Sequence, residues 1–145
     1  LWKDELVLAV PADHPWAGKA TVPVEALYEE PFILREKGSG TFRMFNHYLQ
    51  EGGSEGIDQL KQVTRLSTST AVKEGIKTGV GVSVLSSRAV ETEVACGILK
   101  VLRIKELPMV RSFYLIRDRR RIASPICQIM VVFLQTSATE ESTRG

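Results

Sequence analysis

The sequence predicts an α/β fold, a sheet covered by helices on both faces. Three observations carry this. Short apolar runs such as residues 5–10 (ELVLAV) and 32–34 (FIL) read as buried strands. Between such runs lie segments whose apolar residues recur at helical spacing. The two kinds alternate along the chain, which is the pattern of helices layered on a sheet.

Taken in order, residues 5–10 make the first strand, and Pro11 with the pair His14-Pro15 stops it. Residues 24–29 make one or two helical turns behind Pro23, a suitable first helical residue. Pro31 ends them, Phe32-Ile33-Leu34 is the second strand, and Gly38-Ser39-Gly40 turns the chain. Thr41 is placed to cap a helix reaching Glu51, with Phe42, Phe45 and Leu49 on one face and Gly52-Gly53 as its end.

Residues 60–66 alternate as a third strand. Ser67 or Thr68 caps a helix to Thr78, with Val72 and Ile76 turned inward and Gly79 as the stop. Residues 82–85 are a fourth strand, and Ser86-Ser87 opens a short helix ending at Gly97. Residues 99–104 and 113–116 are two more strands. Ser124-Pro125 opens the last helix, whose Ile126, Ile129, Met130, Phe133 and Leu134 form an apolar stripe. Residues 136–145 are polar and aperiodic, and are expected to be a disordered tail.

Composition excludes several functions. The 145 residues suit one domain, large enough to bury a core without metal or disulfide support. Nineteen Lys+Arg against seventeen Asp+Glu leave a net charge of +2, too mild for nucleic-acid binding by charge alone. The basic run at 117–121 (RDRRR) holds an Asp and no interleaved aromatics, so it reads as a solvated turn. No run approaches the roughly 20 apolar residues of a membrane span, and no signal peptide is visible. The chain begins at Leu1, not Met, and is taken as a piece of a longer protein. Cys96 and Cys127 sit far apart in apolar stretches and are expected to be small buried hydrophobes.

Catalytic signals are absent. His14 and His47 have no metal-ligand spacing to a partner, and HExxH, GxSxG and GxxxxGK[ST] do not occur. Gly38-Ser39-Gly40 follows a strand as a dinucleotide fingerprint would, but Arg43 stands where the third glycine belongs. Gly79-Val80-Gly81 follows a helix, which is the wrong context. Glu36 and Glu74 read as surface charge. No cofactor, metal or catalytic residue is expected.

Two loops carry the remaining chemistry. At Gly38-Ser39-Gly40-Thr41, small residues admit a ligand to the backbone, and a helix start points free N–H groups outward. Such a loop suits a carboxylate, sulfate or phosphate; equally, it is a tight turn with an N-cap and no ligand. At Ser67-Thr68-Ser69-Thr70 one hydroxyl is needed as a cap, and the others serve solvent or a ligand. Both loops follow a strand and open a helix, so in an α/β sheet they are expected side by side, facing one cleft.

These residues resemble a known family. Residues 4–17 (DELVLAVPADHPWA) and 30–41 (EPFILREKGSGT) are similar to two signature segments of LysR-type transcription regulators. Residues 67–90, Gly97-Ile98-Leu99, residues 113–116 and Ser124-Pro125 follow that family's order and spacing, so the similarity spans roughly residues 4–135. The resemblance implies a lobe like those of type II periplasmic binding proteins, a mixed sheet covered by helices, with an effector in the cleft between two lobes. It implies a hinge strand at 1–10 arriving from a lobe one that this chain lacks in part. The effector-binding lobe two would occupy 11–110, and a return strand with a lobe-one helix 111–135. It places effector contacts at Ser39, Gly40, Thr41, Ser67 and Thr68.

The function expected is that of a cytoplasmic effector-binding domain in a bacterial regulator, sensing a small polar or anionic metabolite. Its parent would be a homo-oligomer, a dimer or tetramer. It would reach DNA only through an N-terminal helix-turn-helix absent from this sequence, and would not touch a membrane. Removed from lobe one, the last helix is expected to fold back on its own lobe or to bury against another chain. The alternative is a lobe of a solute-binding protein of the same fold; an enzyme of this fold is a third reading.

Overall fold

The computed structural model describes residues 2–118, 120 and 122–142, with side chains through 138. The chain divides into two compact units: Glu5–Val110, and Leu1–Asp4 together with Arg111–Gly145.

In the larger unit the strand β1 (Trp2–Pro11), which begins in the smaller one, supplies the sheet's centre. It pairs antiparallel with β5 (Ser83–Ser86) and with β6 (Leu99–Ile104), and β6 pairs parallel with the two-residue β2 (Thr21–Val22). A parallel pair, β3 (Phe32–Arg35) and β4 (Gln62–Leu66), continues the layer. Val82 joins it to β5: Ile33 N–H donates to Val82 O at 2.8 Å, and Val82 N–H donates to Pro31 O at 2.9 Å. Ser83 Oγ also donates to Ile33 O at 2.7 Å.

Alternation along the strands makes two cores, one per face. Leu6, Leu8, Val10, Phe32 and Leu34 point to one side, where α1 (Gly40–Glu51) covers them with Phe45 and Leu49. Val7, Ala9, Ile33 and Leu85 point to the other, under α2 (Ser69–Lys77) and α3 (Ser87–Ala95), which contribute Val72, Ile76 and Val90. Phe32 and Phe45 stack at 5.6 Å between ring centroids. Burial on both faces is what a continuous apolar strand such as 5–10 requires.

Two short 3₁₀ turns, Val24–Tyr28 and Gly56–Gln59, complete the unit. The first was expected from the sequence; the second and β2 were not, being too short for a periodic signal. Residues 60–61 precede β4 rather than belong to it, and β4 is largely exposed or half-buried, so no clean alternation holds there.

At the edge of the central strand, Arg103 grips Glu5 through Nε and Nη2, the latter 3.0 Å from Oε2. The Arg103 hydrogen bond is the main cause holding the Glu5 carboxyl below its usual value of 4.5. A carboxyl depressed in the folded state stabilises it above the unfolded value, and the contribution is lost as pH falls through the folded one. Glu5→Gln should therefore flatten the acid limb of a stability-against-pH curve below about pH 4.5, read by urea unfolding. The pair is solvent-exposed, so the effect is small.

In the smaller unit, β7 (Val110–Phe113) pairs with β1. This strand ends where the sequence-based one, residues 113–116, begins. Tyr114, Leu115 and Ile116 are exposed and outside any strand, because pairing with β1, not apolarity, decides which residues extend. Arg111 Nε and Nη2 both lie 2.7 Å from Asp4 Oδ2.

The helix α4 (Pro125–Ser142) runs past the predicted end, so residues 136–142, expected as disordered tail, are helical. Once a helix is nucleated, each further residue adds a backbone bond cheaply, and Thr136 Oγ1 donates back to Val132 O at 3.0 Å. Residues 143–145 of that expectation lie outside the described residues. Ile126 and Phe133 are 73% and 63% exposed, and Ile129, Met130 and Val132 are exposed too. No described residue covers them.

Both cysteines are exposed, contrary to expectation. Cys96 caps the C-terminus of α3, beyond its last inward turn, and Cys127 shares the open surface of α4.

Candidate functional site

The parallel register of β3 and β4 sets Arg35 opposite Leu66, so both strands end at the same edge of the layer. Residues 36–39 lead from one strand into α1, and Ser67-Thr68 lead from the other into α2. Glu36 N–H donates to Leu66 O at 3.3 Å, joining the loops directly. The two hydroxyl loops therefore stand side by side, with the first turns of two helices beyond them. Helix starts carry unpaired N–H groups and partial positive charge, so paired starts favour an anion.

The cap of α1 is Ser39, not Thr41: Ser39 Oγ accepts from Phe42 N–H at 3.3 Å. The helix begins one residue earlier than expected because Gly40 enters it readily at its first position, leaving Ser39 extended. Thr41 is then a buried residue of the first turn, 8% exposed, and Gly40 is open to solvent. At α2 the cap is Thr68, whose Oγ1 accepts from Ala71 N–H at 3.1 Å. The Ser67 and Thr68 side chains are exposed. All five sequence-selected residues thus fall on two adjacent loops.

Two arginines were missed. Arg35, its side chain 15% exposed, donates from Nη1 to Ser69 Oγ at 2.9 Å and from Nη2 to Ser67 O at 2.8 Å. Glu36 lies 3.9 Å from Arg35 Nη2, too far for a good bond. The Arg65 guanidinium sits over the Phe42 ring, 5.0 Å from its centroid. The available signal was a charged residue closing each of two apolar strands just before a glycine or hydroxyl turn.

Other candidates resolve as ordinary structure. His14 Nδ1 accepts from Trp16 N–H at 3.2 Å, and its Nε2 is 3.5 Å from Glu30. His47 Nε2 is 3.4 Å from Glu51, one turn on. Glu74 pairs with Lys77 at 2.6 Å, and Glu36 is exposed. Among the described residues no group of three or more His, Cys, Asp or Glu is placed to hold a metal. Arg117, Asp118 and Arg120 are exposed, and Arg119 and Arg121 lie outside the described residues. A cleft of about 480 Å³ bordered by Glu25, Gly53, Lys105 and Glu106 contains none of the expected site residues. No described helix is long and apolar enough to cross a membrane.

Comparison with known proteins adds the family. Residues 1–139 match the LysR substrate binding domain model. The chain is 39% identical over 118 residues to an uncharacterised HTH-type transcriptional regulator of Methanocaldococcus jannaschii, covering 81% of this chain and 40% of that protein. It is 33% identical over 139 residues to the RuBisCO operon transcriptional regulator of Allochromatium vinosum, covering 96% and 45%. The chain thus spans less than half the length of these relatives. Among solved structures, the CcmR regulatory domain of Synechocystis in complex with 2-PG superposes with a TM-score of 0.81 at 32% identity, covering 94% of this chain and 64% of that one. The effector-binding domain of QuiR in complex with shikimate gives 0.78 at 22% identity, covering 95% and 63%, which speaks for the fold. These neighbours have the type II periplasmic-binding-protein-like fold, and the relatives are transcription regulators, which disfavours the solute-binding reading. The chain belongs to the LysR substrate-binding domain family.

Proposed function

We propose that this chain is the larger part of an effector-sensing domain in a transcription regulator, and that it holds a small anionic metabolite at the starts of α1 and α2. One observation carries the reading: the parallel β3–β4 register sets two helix starts and their hydroxyl loops edge to edge. The 2-PG bound by a relative 32% identical supports an anionic effector. Ser39, Gly40 and Thr41 serve from one loop and Ser67 and Thr68 from the other. The capping oxygens of Ser39 and Thr68 accept from the backbone, which leaves each hydroxyl proton for a ligand.

Residues 11–110 are read as lobe two, and the compact unit Glu5–Val110 supports that boundary. Binding would bias the closure of two lobes and so shift the population of regulator states that engage DNA through a separate helix-turn-helix. The domain is read as non-catalytic and cytoplasmic. The open apolar surface of α4 supports a parent in which a second chain covers it.

The test is calorimetry and thermal shift on the full-length parent, against a panel of small phosphorylated and carboxylated metabolites. Thr41→Ala and Ser67→Ala should each weaken the responding ligand about tenfold, the loss of one hydrogen bond to a charged group. Unchanged affinity in both variants would show that the site lies elsewhere. In sedimentation the same preparation should be a dimer or larger; a stable monomer would remove the paired-subunit reading.

A further inference from the structure

Arg35 and Arg65 are set crosswise. Arg35 closes β3, the strand that leads into α1, yet its guanidinium reaches the start of α2, bonding Ser67 O and the hydroxyl of Ser69, the first residue of that helix. Arg65 lies on β4, the strand that leads into α2, yet its guanidinium rests on Phe42 in the first turn of α1. The register makes them diagonal neighbours, Leu34 facing Arg65 and Arg35 facing Leu66. Each strand's arginine thus holds the helix that follows the other strand.

This arrangement costs stability in the free protein. A cation is disfavoured at a helix N-terminus, where the macrodipole is already positive. Two guanidinium groups stand beside two such termini. Each also keeps a buried nitrogen without a hydrogen-bond partner, Nε of Arg35 and Nη1 of Arg65. A pair selected for stability alone would sit at the other ends of these helices. An oxyanion between the two helix starts reverses the balance, because its charge offsets both guanidiniums and both dipoles together.

We propose that Arg35 and Arg65 are a crossed pair of positioning residues that couple the two helix starts into one cradle, and that the cradle's ligand group is an oxyanion carrying two negative charges. The proposal rests on the anion-sensing reading above. The pair makes binding at one loop order the other, so the loops respond as a unit.

Hydrogen exchange on the intact protein, titrated with inorganic phosphate or sulfate and with acetate as a singly charged control, reads this directly. In the wild type, peptides covering residues 36–45 and 66–73 should slow together with one phosphate midpoint, and acetate should do less. In Arg35→Met the midpoint should rise about tenfold and the two peptides should part, with 66–73 losing its response first. Arg65→Met should show the converse, and Arg35→Lys should restore part of the midpoint. Ser69→Ala removes only the acceptor and should mimic Arg35→Met more weakly, which covers the case of an arginine variant that does not fold. If neither peptide slows in the wild type, the anion reading fails and the pair with it. If both slow together and equally in the wild type and all variants, the anion site stands and the crossed pair is wrong.

Discussion

Arg111→Met should destabilise the protein by about 3–5 kcal/mol, the cost of leaving a buried charge without its partner. Asp4 has a side chain only 1% exposed, and Arg111 is its cation, with two nitrogens 2.7 Å from one carboxylate oxygen. Methionine preserves most of the apolar stem and removes the charge, so the loss reports the pair rather than packing. The matched control is the double variant Asp4→Asn with Arg111→Met, which should recover more than half of the loss. Urea unfolding of the three proteins measures it. A loss under about 1 kcal/mol would place this pair among ordinary surface salt bridges.

Gly81→Ala is expected to cost about 3 kcal/mol, at the upper end of overpacking penalties. A Cβ at residue 81 would collide with the Pro31 carbonyl oxygen and lie 2.8 Å from its carbon. Neither backbone can yield easily. Val82 N–H is bound to Pro31 O and Ile33 N–H to Val82 O, and these bonds are the seam between β3 and β5. Opening the seam would shift Phe32 out of a fully buried position and carry Arg35 with it. The variant should lose ligand response as well as stability, seen as a lowered melting temperature and a weaker phosphate midpoint. Gly79→Ala, with open space around its Cβ but a φ of 75°, should cost less, about 1 kcal/mol.

Much of this was legible in the sequence because local pattern and burial agree. Residues 5–10 alternate between two cores, and an apolar run bounded by proline admits little else. Residues 99–104 formed the strand the sequence predicts, and Val72 and Ile76 point inward as their spacing requires. The failures occur where a distant partner decides. The return strand is fixed by pairing with β1, so it took Val110–Phe113 and left Tyr114–Ile116 outside. The choice between Ser39 and Thr41 as cap turned on whether Gly40 joined the helix, a matter of one residue that composition does not decide. The hydroxyl loops could be named from their place after strands and before helices. Arg35 and Arg65 could not, since their roles exist only once β3 and β4 lie parallel in one register.

The two exposed thiols have a practical consequence. Cys96 belongs to the unit Glu5–Val110, and Cys127 to the unit containing Arg111–Gly145. Nature has therefore placed one accessible attachment point on each body, and no other cysteine competes for reagent. A maleimide dye or nitroxide pair would report the separation of the two units without any engineered residue, and its change on ligand addition would be read as an energy-transfer or dipolar signal. The same chemistry makes air oxidation a hazard, so a covalent adduct between chains should be excluded by reductant before any assembly state is assigned.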